Sequence, residues 1–139
     1  MSTDSAPPTP PVRQLRIVVE VDDYDAALVF YRDVLGLTEE DAFAGPDGAL
    51  VAILQAGRAT LEIANPAQKR MIDDVEVGRQ VAPRIRLAFE VDDTATRTVA
   101  LVAGGAELVA APTLTPWNSL NSRLDAPGDL QITLFEEKD

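Results

Sequence analysis

The segment Arg16-Ile-Val-Val-Glu-Val-Asp-Asp23 returns as Arg86-Leu-Ala-Phe-Glu-Val-Asp-Asp93, 70 residues later in a chain of 139. A repeat at half the chain length narrows the fold to a duplicated supersecondary unit. Both copies are β-rich runs ending in Val-Asp-Asp, and both lead into a helical stretch. In the first, Asp22 or Asp23 can cap the helix by accepting its free N–H groups. Residues 24–35 then place Ala27, Phe30, Tyr31 and Val34 on one face, and Gly36 ends the helix. In the second, Asp92 or Asp93 caps a helix that runs to Ala103 and stops at Gly104-Gly105.

Strands are expected after the first helix over 38–44, 49–55 and 59–64, with Ala56-Gly57 turning the last two. After the second they are expected over 106–111, 118–125 and 129–136, with Pro127-Gly128 as the final turn. The fold class is therefore α+β: two βαβββ modules whose curved mixed sheets form a cleft, each sheet covered by one helix. Module one spans 15–64, a polar linker 65–83, and module two 84–136, all within one domain of residues 15–139. The linker contains Pro66 and Pro83, and its middle can form a short helix. Residues 1–14 carry Pro7, Pro8, Pro10 and Pro11 among small polar residues and read as an extended arm.

Strand alternation assigns the faces. Ile17, Val19 and Val21 share one face of the first strand, against Arg16, Val18 and Glu20. Leu61 and Ile63 pack, leaving Thr60, Glu62 and Ala64 opposite. Leu87, Phe89 and Val91 pack, leaving Arg86, Ala88 and Glu90. Ile132 and Leu134 pack, leaving Gln131, Thr133 and Phe135. The side away from the helices mixes Arg, Glu, Thr and apolar groups, a lining suited to a small ligand. Phe43, Val51 and Ile53 would line its first-module wall.

Composition limits the chemistry. The chain has no cysteine and no histidine. Disulfides, thiolate sites and a thiol nucleophile are excluded, and so are the commonest general base and the commonest metal ligand. The apolar fraction of 46% suits a globular core. No apolar run approaches the about 18 residues of a membrane span. The beginning lacks a basic segment followed by an apolar one, so a cytoplasmic protein with no membrane partner is expected. A net charge of −11 repels phosphate backbones, which argues against nucleic acid, and attracts cationic small molecules.

The run Ala27-Leu-Val-Phe-Tyr-Arg-Asp-Val-Leu-Gly-Leu37 after Val-Asp-Asp resembles the helix signature of the glyoxalase/bleomycin-resistance/dioxygenase superfamily, the vicinal oxygen chelate proteins. The repeat, Thr60-Leu-Glu-Ile63 and Leu130-Gln-Ile-Thr-Leu-Phe-Glu136 extend the resemblance over about residues 15–136. It implies the βαβββ fold but not one activity, because that fold hosts lyases, isomerases, dioxygenases, thiol transferases and drug-binding proteins. Metal-dependent members place four ligands on the cleft faces. Their positions correspond here to Arg16, Glu62, Arg86 and Thr133. Arginine stays protonated and offers no lone pair, so neither a metal nor another cofactor is expected.

Arg16, Glu62 and Arg86 then serve either as an ion-pair network or as polar recognition of a ligand. Trp117, the only tryptophan, fills a gap at the rim or forms an aromatic wall, the use the resemblance to bleomycin-resistance proteins implies. Asn118, Asn121 and Arg123 lie beside it, although either Arg123 or Leu124 could face the cleft. Met71 is a lid contact or merely exposed. The ligand-binding set is thus Arg16, Val18, Phe43, Val51, Ile53, Glu62, Arg86, Trp117, Asn118, Asn121, Arg123, Thr133 and Phe135, with no catalytic residue. The expected function is non-catalytic sequestration of an antibiotic or toxin, with a planar aromatic or cationic ligand and a homodimer. The alternatives are a metal-free enzyme with Glu62 as base, or a metal enzyme using Glu62, Glu136 and Glu137. Alternation sets Glu136 off the cleft face and weighs against the last.

Overall fold

The computed structural model describes residue 14, residues 16–60 and residues 62–138. The expected arm therefore lies almost wholly outside the described residues, as do the expected roles of Leu15 and Leu61.

Both aspartate caps form, and in each copy the second aspartate does the capping. Asp23 Oδ1 accepts the Ala26 N–H at 3.0 Å and starts α1 (Tyr24–Leu28). Asp93 Oδ1 accepts the Thr96 N–H at 3.0 Å and starts α3 (Thr94–Ala103). The first helix continues over Val29–Val34 as a wider π-type coil, in which the Leu35 N–H reaches back five residues to the Phe30 carbonyl. Between them, α2 (Pro66–Glu76) occupies the linker, with Asn65 as cap and Pro66 at the first helical position, where its missing N–H costs nothing.

The second module is complete. Strands β3 (Leu87–Glu90), β4 (Glu107–Leu114), β5 (Ser119–Ala126) and β6 (Leu130–Glu137) lie in the order β3-β6-β5-β4. β3 runs parallel to β6 and the other neighbours are antiparallel. The boundaries differ from expectation mainly at β4, which runs three residues longer before turning at Thr115.

In the first module, β1 (Thr38–Ala44) and β2 (Leu50–Gln55) form a hairpin, but the expected strands at 16–21 and 59–64 enter no ladder among the described residues. The reason lies in α1. Its apolar stripe does not cover a sheet of its own module. Phe30 enters one core with Leu101, Ala106, Leu124, Ala126, Ile132 and Leu134, and Tyr31, Val34 and Leu35 pack around it. With that surface used on module two, Ile17 and Ile63 have nothing to pack under and stay exposed, Ile63 by 83%. Val19 and Val21 lie instead against the β5–β6 turn, at Gly128. The reading of one helix per sheet is corrected accordingly: α3 covers the four-stranded sheet, and the first helix docks on α3 and the β5–β6 turn with Phe30 in the same core.

Polar contacts fix this docking. Arg97 on α3 donates from Nη2 to the Val34 and Leu35 carbonyls, satisfying the end of the first helix. The Tyr31 hydroxyl donates to the Pro127 carbonyl at 2.6 Å, and burial pushes its pKa up to about 12. Gly104 presses on Val34 so closely that an added Cβ would sit 2.6 Å from Val34 Cγ1. Its φ of −85° suits alanine, so the contact alone opposes substitution. Gly104→Ala should therefore destabilise the protein by about 1–3 kcal/mol, the usual cost of overpacking. Thermal unfolding of Gly104→Ala, Val34→Ala and the double variant checks this: the double variant should lose less than the two single losses together.

Candidate functional site

Alternation along β5 sends Ser122, Leu124 and Ala126 toward α3, where Ser122 Oγ meets Thr98 Oγ1 at 2.7 Å. Asn121 and Arg123 point to the opposite face, together with Gln131, Thr133 and Phe135 of β6, since Arg123 is paired with Thr133. This settles the register left open in the sequence: Arg123 faces the cleft side and Leu124 is core. Glu136 lies on the helix side, where Oε1 accepts the Thr94 N–H at 3.0 Å.

The middle of that face is covered by α2, which packs on β4 and β5. Asp73 and Glu76, three residues apart and so on one side of the helix, both reach Arg123. Arg123 Nη1 donates to Asp73 Oδ1 at 2.8 Å and to Gln131 Oε1 at 2.9 Å, and Nη2 donates to Glu76 Oε1 at 2.7 Å. The guanidinium is 0% exposed. Its Nε is buried with no partner among the described residues. Asn121 Nδ2 adds a bond to the other Glu76 oxygen at 2.7 Å. Asp73 Oδ2 accepts the Val81 and Ala82 N–H groups, each at 2.8 Å. Burial alone would raise the pKa of Asp73, but the Ala82 N–H, Arg123 and the Val81 N–H together hold it below the usual carboxylate range. Asp73 and Glu76 were absent from the expected site. Their one signal was a pair of acids at helical spacing in the linker, which an exposed helix would show equally well.

Arg86, just before β3, stands apart from this cluster. Its Nη1 donates to Thr133 Oγ1, and it has no carboxylate within 4.0 Å among the described residues. Burial first, then neighbouring Arg123, lowers its pKa, against the pull of Glu76, Asp73 and Glu62. Next to it Thr133 and Gln131 of β6 are buried, and the face opens only at Ala88 and Glu90 of β3, which are exposed, and at half-buried Phe135.

Other expected residues are not gathered here. Arg16 is exposed, with Nε on Gln14 and Nη2 4.0 Å from Glu40. Val18 is 88% exposed. Glu62 is exposed beside Ile63, Asn65 and Gln68 at a shallow depression. Phe43, Val51 and Ile53 do share one face of the β1–β2 hairpin, yet they line no wall with the second module among the described residues, because that hairpin packs on no other sheet. Trp117 sits on the β4–β5 turn and is exposed, and Met71 is exposed on α2. Asn118 holds the same turn: its φ is 64°, and Nδ2 bonds the Lys138 carbonyl at 2.5 Å. Trp117 and Asn118 thus lie at the far end of β6 from Arg86, and Asn118 helps to build the turn. Of the four metal positions the family implies, two hold arginines, and one of these donates to the threonine of a third. These donors do not fit a metal ion.

The chain belongs to the Glyoxalase/Bleomycin resistance protein/Dioxygenase superfamily, whose model matches residues 13–136. A glyoxalase-related enzyme from Fulvimarina pelagi has a similar fold at 18% identity and a TM-score of 0.56, covering 91% of this chain and 89% of its own. A glyoxalase/dioxygenase from Nostoc punctiforme aligns at 17% identity and a TM-score of 0.56, over 99% and 100% of the two chains. A hypothetical protein from S. aureus reaches a TM-score of 0.59 at 12% identity, over 90% and 94%. No curated protein matches the chain.

The Arg123 cluster gives a pH-dependent prediction. Because Asp73 titrates lower when folded, its stabilisation is complete above the unfolded carboxylate value of about 3.9 and is lost as pH falls through the folded value. Asp73→Asn should cost about 3 kcal/mol near neutral pH. In urea unfolding, its deficit relative to wild type should hold steady above about pH 5.5 and shrink below about pH 4.

Proposed function

We propose that this protein binds a small organic molecule on the open part of the second-module sheet and holds it without metal-assisted chemistry, sequestering an antibiotic or other toxic compound. The observation that carries this reading is the Arg86–Thr133 hydrogen bond, which sets a cation and the hydroxyl oxygen that accepts from it where a metal enzyme of this fold needs two ligands. The chain supplies neither histidine nor cysteine to replace them. A metal-free enzyme with Glu62 as base is less well supported, since Glu62 is exposed at a shallow depression open to solvent. The net charge of −11 disfavours nucleic acid and, away from the local positive field of Arg86, favours ligand groups that are cationic or neutral. Among the described residues no helix is long and apolar enough to cross a membrane.

The reading includes a homodimer. Ile17, Val18, Ile63 and Ile85 are largely exposed around the incomplete first module, an amount of apolar surface that a second copy would cover. Sedimentation equilibrium at micromolar concentration should give twice the chain mass; a monomer would refute this part. For the binding itself, calorimetric titration with aromatic and cationic antibiotics, in the presence and absence of a chelator, should give the same affinity in both and return the ligand chemically unchanged. Product accumulating over many turnovers would place the protein among enzymes, and binding abolished by the chelator would restore a metal.

A further inference from the structure

Two arginines lie on the cleft side of the second sheet, and the described residues neutralise only one of them. Arg123 has two carboxylates and an amide oxygen. Among the described residues Arg86 has a single hydroxyl as partner, although a guanidinium carries five N–H donors. Both acids of α2 are already committed: Asp73 to Arg123 and two backbone N–H groups, Glu76 to Arg123 and Asn121. Glu62 is near enough for its field to be felt at Arg86 but forms no ion pair with it. A partly buried cation without a counter-ion costs stability unless something else supplies the charge.

We propose that Arg86 receives the carboxylate of an apolar or aromatic acid whose body lies over Ala88 and Phe135. This rests on the binding reading above and names the class of molecule bound. Along this stretch of sheet the groups stand in the right order. Thr133 fixes the guanidinium at the level of Ala88, its parallel partner, leaving the other N–H donors for an anion. Planar guanidinium and carboxylate suit each other as a two-point contact. Ala88 is exposed and small, so it leaves room above the strand pair. Phe135 stands two residues further along β6 on the same face, about 7 Å away at the strand rise. That spacing suits a carboxylate joined to a ring by a two-carbon link. Glu90, exposed at the Phe135 level, would repel a second anionic group there and accept a cationic one.

The test compares 3-phenylpropionate with its neutral amide, 3-phenylpropanamide, by calorimetry on the full chain. The acid should bind at least tenfold more tightly than the amide. Arg86→Met should lose that preference, Arg86→Lys should retain part of it, and Phe135→Ala should weaken the acid about threefold to tenfold, the range for a lost aromatic contact. Thermal unfolding without ligand separates this from a structural role. An arginine waiting for an anion leaves Arg86→Met as stable as wild type or more so, with the acid-induced rise in Tm gone. An arginine that holds the fold gives a less stable Arg86→Met. Equal binding of acid and amide, no binding of the acid, or full binding by Arg86→Met would each overturn the proposal. Antibiotics that still bind Arg86→Met would leave the binding reading standing, so the two failures are distinguishable. If Arg86→Met does not fold, the acid-to-amide ratio on wild type decides alone.

Discussion

Burying the Arg123 guanidinium is the demand around which the second half of the molecule is organised. A charge with no solvent is tolerable only when opposite charges and hydrogen bonds replace the water it has lost. Here those groups come from a helix 50 residues away in sequence, so the linker is drawn onto the sheet. The same requirement orders the segment after α2, because Asp73 is held by the Val81 and Ala82 N–H groups. It also divides the sheet surface, closing the part over β4, β5 and the middle of β6 and leaving Ala88 and Glu90 of β3 accessible beside Phe135.

A second constraint runs through Phe30. By entering the core beneath α3 and the four-stranded sheet, it joins the two sequence halves through one apolar cluster. The Arg97 bonds to the end of the first helix and the Tyr31 bond to Pro127 give that joint a fixed orientation. Among the described residues the first module is left as a helix docked elsewhere, a hairpin, and stretches outside any ladder that expose Ile17, Val18 and Ile63.

The second module was legible because its signals are local. Aspartate caps, glycine stops, strict alternation in β6 and the Pro127-Gly128 turn each follow from neighbouring residues, and each is where the sequence puts it. The first module was misread at its outer strands because Ile17 and Ile63 alternate correctly but depend on α1 to cover them, and the surface Phe30 packs against is not written near Phe30. The site was legible in the same uneven way. Arg86 and Thr133 follow from alternation, and the structure joins them by a hydrogen bond. Asp73 and Glu76 do not follow from it, since an ion pair across 50 residues leaves no mark on either segment. Trp117 drew attention for its rarity, whereas its place at the end of a hairpin is set by the length of β4.

The contact between Val34 and Gly104 carries a consequence for the duplication itself. With the copies aligned so that Arg16 matches Arg86, Val34 and Gly104 are equivalent positions, and they touch each other. At such a contact identity is physically untenable. Two valines would collide at this distance, while two glycines would leave a gap. One copy must supply the knob and the other the hole. Perfect repetition is therefore excluded at the place where the halves join, so a duplicated chain can close on itself here only with unlike side chains at the two positions.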